Sequence, residues 1–279
     1  MCNELYYANY DNSFKLLIFN ILMDCNISEK YVSILTTNES IQLYKQAFIH
    51  HTIHPHCNYE YYEFKGDITI NKAIIEYLSE IYPFLCCKEG VKVLSRLKIL
   101  LTSKQSLSEI ADNLDFWDYI SSSNSVRQTK KKSLLEDVFE AFIGMTEYIL
   151  CKYITKGSAY SICYNIIANQ LKKNFHTMNL SYETLFDAKT RLKEICDYYK
   201  HRIGEIKYEY SKINKIQQVS IYYTLDGRRT LIGKGLSSLL IDAEQIASSE
   251  AILELKKMGI EKPIDKFYKK INKFSVKIS

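Results

Sequence analysis

Carboxylates crowd two short segments whose neighbours are largely apolar. The first is Glu60-Tyr-Tyr-Glu63-Phe-Lys-Gly66-Asp67, and the second is Glu136-Asp137-Val-Phe-Glu140-Ala-Phe-Ile-Gly144. On a helix, Glu63 and Asp67 are four residues apart and share a face, with Glu60 one turn ahead of them. In the second segment Asp137 and Glu140 are i and i+3, whereas Glu136 and Glu140 are i and i+4, and spacing leaves both pairings open. Leu134, Leu135, Val138, Phe139, Phe142 and Ile143 surround that pair, so the helix bearing it should be central. Ionised carboxylates are costly in such a place unless something positive pairs with them. Oxygen-only ligands select Mg²⁺ or Mn²⁺ over zinc, and such a site activates water for in-line phosphoryl displacement. The plain alternative is a set of solvated surface charges. The apolar flanks and the recurrence of a second cluster weigh against it. Gly66 removes a side chain beside the acidic stripe and leaves room for another backbone.

The elements that must position these residues follow from hydrophobic periodicity. Helices are expected at 14–24, 28–35, 39–50, 59–82, 89–102, 106–112 and 132–153, with Pro83 ending the fourth. The His50–Cys57 segment contains Pro55 and reads as a loop. No strand pattern appears before about residue 204, so the first two thirds read as all-α. Thereafter a helix at 187–200, strands at 206–210, 219–225 and 229–234, and a helix at 241–257 give the order α-β-β-β-α. Asp226-Gly227 is a hairpin signal, and Ala243, Ile246, Ala247, Ala251, Ile252 and Leu255 form the apolar side of the last helix. The expected domains are 1–178 and 186–260, joined by a polar linker near His176 to Thr184 and followed by a tail at 261–279. The fold class is thus an all-α domain followed by a small α+β domain.

Composition narrows the setting. The 279 residues carry a net charge of +5, which suits a polyanionic partner, and 47% are hydrophobic, ample for two cores. There is no secretory signal and no apolar run of about 18 residues, so neither export nor a membrane span is expected. Eight cysteines without a C-x-x-C pair read as reduced thiols of an intracellular protein, in cytoplasm or nucleus. His50, His51, His54, His56 and Cys57 match no zinc spacing and read as loop residues. Lys130-Lys131-Lys132, just before the second acidic helix, is either a solvated run or a phosphate contact. Phe116, Trp117 and Tyr119 read as core.

These residues together resemble the ribonuclease III family. Glu60 to Asp67 resembles its E-R-L-E-F-L-G-D signature, and Asp137 to Gly144 its D-x-x-E-A-x-x-G motif. Ala47-Phe-Ile-His50 looks like its A-[LF]-T-H element, and Tyr82-Pro83 with Glu89-Gly90 and Arg96 like its middle segment. The second domain is similar to a double-stranded-RNA-binding domain in its opening helix, Gly233-Lys-Gly235 turn and Ala243-Glu-Gln-Ile-Ala247. The flavour is most like the ribonuclease III of large DNA viruses. The resemblance implies a homodimeric, Mg²⁺-dependent endoribonuclease (Mn²⁺ substituting) that cuts double-stranded RNA to 5′-phosphate and 3′-hydroxyl ends. It implies that Glu63, Asp67, Asp137 and Glu140 hold the metal and catalyse, which sets Glu136 aside. Glu60 and Glu89 match supporting acidic positions, and Phe64 matches an aromatic at the dimer interface. Thr190 and Glu194 match groups facing the RNA minor groove.

The departures are specific. Lys65 replaces an apolar signature residue and reads as a solvated or phosphate-facing cation. The K-K-x-A phosphate cluster of the second domain is replaced by Ser237-Ser-Leu-Leu-Ile-Asp-Ala243, and the loop between its first strands by Ser211-Lys-Ile-Asn-Lys-Ile216. Lys212, Lys215, Arg228, Arg229 and Lys234, with Lys130 and Lys131 of the first domain, are the remaining candidates for RNA phosphates. The rival reading is a catalytically silent RNA-binding or scaffold protein that keeps the fold.

Overall fold

In the computed structural model, residues 4–175, 181–225 and 227–271 are described. They separate into two units, divided between Phe175 and Ser181. The first unit is helical: α1 (Asn12–Asp24), α2 (Glu29–Leu35), α3 (Asn38–Gln46), α4 (Glu60–Ile81), α5 (Val91–Leu101), α6 (Lys104–Asn113), α7 (Asn124–Thr129), α8 (Lys131–Leu150) and α9 (Lys156–Asn174). Short polar side chains start several of these. Asp11, Thr37, Ser103 and Thr155 accept from the backbone N–H groups of Ser13, Ser40, Ser106 and Ser158, which satisfies donors that a first turn otherwise leaves orphaned.

The centre of this unit is α8, which packs against α2, α3, α4, α6 and α9. Val138, Phe139, Ala141, Phe142, Ile143 and Met145 are all fully or almost fully buried. Each larger side chain of that set contributes roughly 1.5–3 kcal/mol of burial. Tyr44 and Thr146 share a 2.8 Å hydrogen bond inside the core, so neither hydroxyl is left unpaired.

The crossing of α4 and α8 is closer than side chains permit. A Cβ on Gly66 would lie 1.8 Å from the Glu140 carbonyl oxygen, and one on Gly144 would lie 2.0 Å from that of Tyr62. The two helices therefore touch backbone to backbone, and only glycine fits at either point.

Three features of this unit differ from expectation. The helix α9 has no counterpart in the sequence reading, although Ala159, Ile162, Cys163, Ile166, Ile167 and Leu171 are buried at helical spacing. Interleaved Asn165, Asn169 and Gln170 dilute its apolar signal. The unit is also not wholly without strands: β1 (Leu5–Tyr6) pairs antiparallel with β2 (Ser122–Ser123). Two residues are too few to show a period of two. Finally, Trp117 is only half-buried; Arg127 lies 4.0 Å from its ring and 4.0 Å from that of Tyr6, a guanidinium held between two aromatic faces.

The second unit comprises α10 (Tyr182–Leu185), α11 (Ala188–Tyr198), α12 (Lys200–Ile203), β3 (Glu205–Ile213), β4 (Ile216–Leu225), β5 (Arg228–Ser237), α13 (Leu240–Lys257) and α14 (Lys266–Ile271). The strands form one antiparallel sheet in the order β3-β4-β5. Leu192, Val219, Ile221, Ala243, Ala247, Ala251 and Leu255 make its core. Gly233 and Gly235 lie within β5 rather than in a turn, where a Cβ would meet the Ala247 and Ala243 carbonyls at 2.2 and 1.9 Å. They let the alanine face of α13 rest on the strand.

Other expectations shift here. The segment read as linker is helical from Tyr182, while 176–180 lies outside the described residues. The strands are longer than their apolar runs, and a two-residue turn with Asn214 at φ 47° and Lys215 at φ 69° joins β3 to β4. At the second hairpin Gly227 has φ 74°, and Asp226 lies outside the described residues. Ile246 is 47% exposed, not on the buried side of α13. Within the tail, Tyr268 of α14 packs its ring 5.4 Å from Tyr182 and 5.5 Å from Phe186.

Replacing Gly144 by Ala forces α4 and α8 apart and costs at least about 2 kcal/mol, the scale of core overpacking. Thermal denaturation should show Tm falling by several degrees. Gly157→Ala, at a helical site with nothing within 4 Å, should leave Tm unchanged or raise it.

Candidate active site

The glycine contact brings the acidic faces of α4 and α8 together. Glu140 is 8% exposed, and Glu63, Asp67 and Asp137 are half-buried. Burial pushes Glu63 up to about 7, with Asp137 the strongest of the neighbouring charges that add to the rise. Burial likewise pushes Glu140 up to about 9, with Asp67 the strongest neighbouring charge. Asp137 is also raised by burial, against which the Tyr59 hydroxyl acts. Glu63 and Glu140 thus each feel acidic neighbours on the opposing helix, Asp137 for Glu63 and Asp67 for Glu140.

Neutral and cationic groups hold these carboxylates from behind. Tyr59 donates its hydroxyl to Asp137 Oδ2 at 2.9 Å. Asn71 donates to Asp67 Oδ1 at 2.6 Å and to the Asp67 carbonyl at 2.8 Å, and its own Oδ1 accepts from Lys98 Nζ at 2.8 Å. Glu136 points elsewhere: its Oε2 pairs with Lys104 Nζ at 3.0 Å. Sequence reasoning missed Tyr59, Asn71, Lys98 and Lys104 as members of the site. Asn71 was findable, being i+4 from Asp67 on the same helix. The lysines reach the site from α5 and α6, and no local spacing encodes that.

A cavity of about 310 Å³ opens beside one pair, lined by His51, Tyr59, Glu60, Glu63, Lys130 and Asp137 among others. His51 Nδ1 lies 3.0 Å from Glu60 Oε1. Glu89 is exposed ahead of α5 and does not line this cavity. Lys130 lines it, whereas Lys131 is engaged by Asp112 at 3.0 Å and lies 5.3 Å from the Trp117 ring. Lys65 is neither solvated nor phosphate-facing: it pairs with the largely buried Glu147 at 3.6 Å. His54 Nδ1 accepts from the Cys57 backbone N–H at 2.8 Å, so that segment is a self-bonded loop. Among the described residues, no three His, Cys, Asp or Glu side chains stand close enough to form a ready metal cage.

Phe64 is 68% exposed on the other face of α4, in line with Tyr61, Ile68 and Ile75. In the second unit the candidate RNA contacts are dispersed. Thr190 Oγ1 donates to Asp187 Oδ2 at 2.7 Å at the start of α11. Glu194 accepts from Tyr182 at 2.5 Å and pairs with Lys262 at 2.8 Å. Lys212 and Lys215 flank the β3–β4 turn, Lys234 is exposed in mid-strand, and Arg228 sits at the opposite hairpin. Those two turns are the length of the ten-residue β4 apart, roughly 30 Å. Arg229 is occupied by Glu209 and lies 3.6 Å from the Tyr222 ring.

The site thus lies where two crossing helices of a helical unit bring carboxylates together, and an α-β-β-β-α unit follows in the chain. The Ribonuclease III domain family matches residues 60–148. The chain is 35% identical over 277 residues to the ribonuclease 3 homologue of Invertebrate iridescent virus 6, covering 94% of each chain. It is 32% identical over 242 residues to that of Frog virus 3 (isolate Goorha), covering 85% of this chain and 62% of that one. The nuclease domain of ribonuclease III from Campylobacter jejuni aligns at 26% identity with a TM-score of 0.43, over 53% of this chain and 97% of that one. The chain belongs to the ribonuclease III family and is an endoribonuclease of that type.

Glu63 and Glu140 hold protons more tightly folded than unfolded. Their contribution to stability is therefore present below about pH 4.5 and is lost as pH rises through about 7 and about 9. In metal-free buffer, Glu140→Gln should raise Tm more at pH 8.5 than at pH 5. A variant with the same pH dependence as the parent would contradict this account.

Proposed function

We propose that this chain cleaves double-stranded RNA with Mg²⁺ as a homodimer, leaving 5′-phosphate and 3′-hydroxyl ends. The observation that carries this reading is the α4–α8 contact, which sets Glu63 and Asp67 against Asp137 and Glu140. Four partly desolvated carboxylates, with burial raising the proton affinity of Glu63, Asp137 and Glu140, form a site short of positive charge. All donors are carboxylate oxygens, the set that suits Mg²⁺, with Mn²⁺ able to substitute. Like charges spread rather than converge, so the side chains would be gathered by the ion they hold. A divalent ion there supplies a water nucleophile and neutralises charge developing on the phosphoryl oxygens.

The remaining work falls to the chain itself. The Tyr59 hydroxyl fixes Asp137, and the Lys98–Asn71 relay fixes Asp67, so each presents one oriented carboxylate to the site. Burial and its acidic neighbours raise the proton affinity of Glu140, which would give up its proton to hold a divalent ion. Glu60, Lys130 and the surrounding cavity receive the backbone of the scissile strand, and Glu89 acts from outside that cavity. The first unit is the nuclease domain. The second assists with its separated cations Lys212, Lys215, Arg228 and Lys234, and with Thr190 and Glu194 once their internal partners exchange for RNA.

The dimer reading rests on α4. Tyr61, Phe64, Ile68 and Ile75 fall at heptad spacing on its exposed face, a stripe that water solvates poorly. The silent scaffold reading has no role for Glu63, Asp67, Asp137 and Glu140 together, since unpaired buried carboxylates only destabilise.

Incubating the protein with labelled duplex RNA, with and without Mg²⁺, tests the proposal. Cleavage should require the ion, and Glu140→Gln should lower it at least ~1,000-fold while duplex binding and dimerisation persist. No cutting at any Mg²⁺ or Mn²⁺ concentration would sink it. Phe64→Ala should shift the protein toward monomer in sedimentation at low concentration.

A further inference from the structure

The cavity beside the acidic pairs poses an electrostatic problem. Glu60, Glu63 and Asp137 all line it, and an RNA backbone brings further negative charge. Two groups on the same wall can answer that charge: Lys130, which has no ion pair among the described residues, and His51.

His51 is built into place. Its Nδ1 lies 3.0 Å from Glu60 Oε1, an ion pair when the imidazole is protonated. Its ring lies 3.9 Å, centroid to centroid, from that of His50. His50 is itself anchored, with Nδ1 accepting from the Thr52 backbone N–H at 3.1 Å and burial pushing it down to about 4, so it stays an uncharged backstop. The His51 side chain is nonetheless 53% exposed, within reach of a ligand. With a carboxylate beside Nδ1, an N–H at Nε2 can donate to an anion in the cavity.

We propose that His51, oriented by Glu60 and backed by His50, is a substrate-positioning residue that donates from Nε2 to a phosphate oxygen of the RNA strand in this cavity. The proposal rests on the duplex-cleavage reading above. The sequence treats His51 as one of several loop histidines; the fold singles it out, because His54 is spent on the Cys57 backbone.

The test compares the parent with His51→Ala and His51→Gln, the latter keeping a neutral donor of similar reach. Single-turnover cleavage of a labelled duplex in Mg²⁺ should fall about 10-fold or more for His51→Ala, with partial rescue by His51→Gln. Binding to the same duplex in a Glu140→Gln background should show a salt slope shallower by up to about one unit for His51→Ala. Tm should stay at the parent value. Equal cleavage and equal salt slope for His51→Ala would overturn the proposal, as would losses that track a fall in Tm equally in both variants. Should the parent bind duplex without cutting it, the cleavage reading fails by itself and the salt slope still decides the role of His51.

Discussion

The contact between Gly66 and Gly144 is the constraint on which the rest depends. Helices separated by ordinary side chains pack with axes about 8–10 Å apart. Here two backbones meet, and the meeting point lies inside both acidic segments: Gly66 between Glu63 and Asp67, Gly144 one turn beyond Glu140. Packing and chemistry are therefore the same feature. The apolar surround of α8 locks the crossing, and the crossing sets how close the carboxylates come.

That closeness has a thermodynamic consequence. A fold selected for stability alone would not place Glu140 at 8% exposure among other acids, with burial and Asp67 both opposing its ionisation. The site spends stability on charge that only a bound cation or substrate relieves, the pattern expected where local rules of folding yield to chemistry. The supporting groups follow suit. Tyr59, Asn71 and Lys98 orient individual carboxylates without cancelling the surplus, while Lys104 neutralises Glu136, the one acidic neighbour that the resemblance leaves out.

The second unit makes the opposite compromise. Its core is well formed, with α13 pressed onto β5 through Gly233 and Gly235. Its surface, however, has Leu239, Leu240 and Ile241 exposed where the related domains carry lysines. Cations remain, but the antiparallel register spreads them from one hairpin to the other instead of concentrating them on one ridge. In this chain the fold of that domain and its usual electrostatics have come apart.

Much of this was legible in the residues. The acidic stripe, the central helix, the order α-β-β-β-α and the need for glycine at 66 all follow from spacing within one element, which a linear chain displays directly. The helix α9 was missed because Asn and Gln interrupt its apolar rows, and Ile246 was misassigned because an apolar residue is not obliged to be buried. Lys65 looked available for solvent or phosphate, yet Glu147, eighty-two positions further on, takes it. What the sequence by itself determined is which carboxylates exist and which faces they share. Only the tertiary structure decided that the acidic faces of α4 and α8 meet at the crossing, that Lys98 and Lys104 stand behind them, and that His50 and His51 border the cavity while His54 does not. Those facts depend on contacts between distant segments, and helical periodicity carries no information about the partner a face will meet.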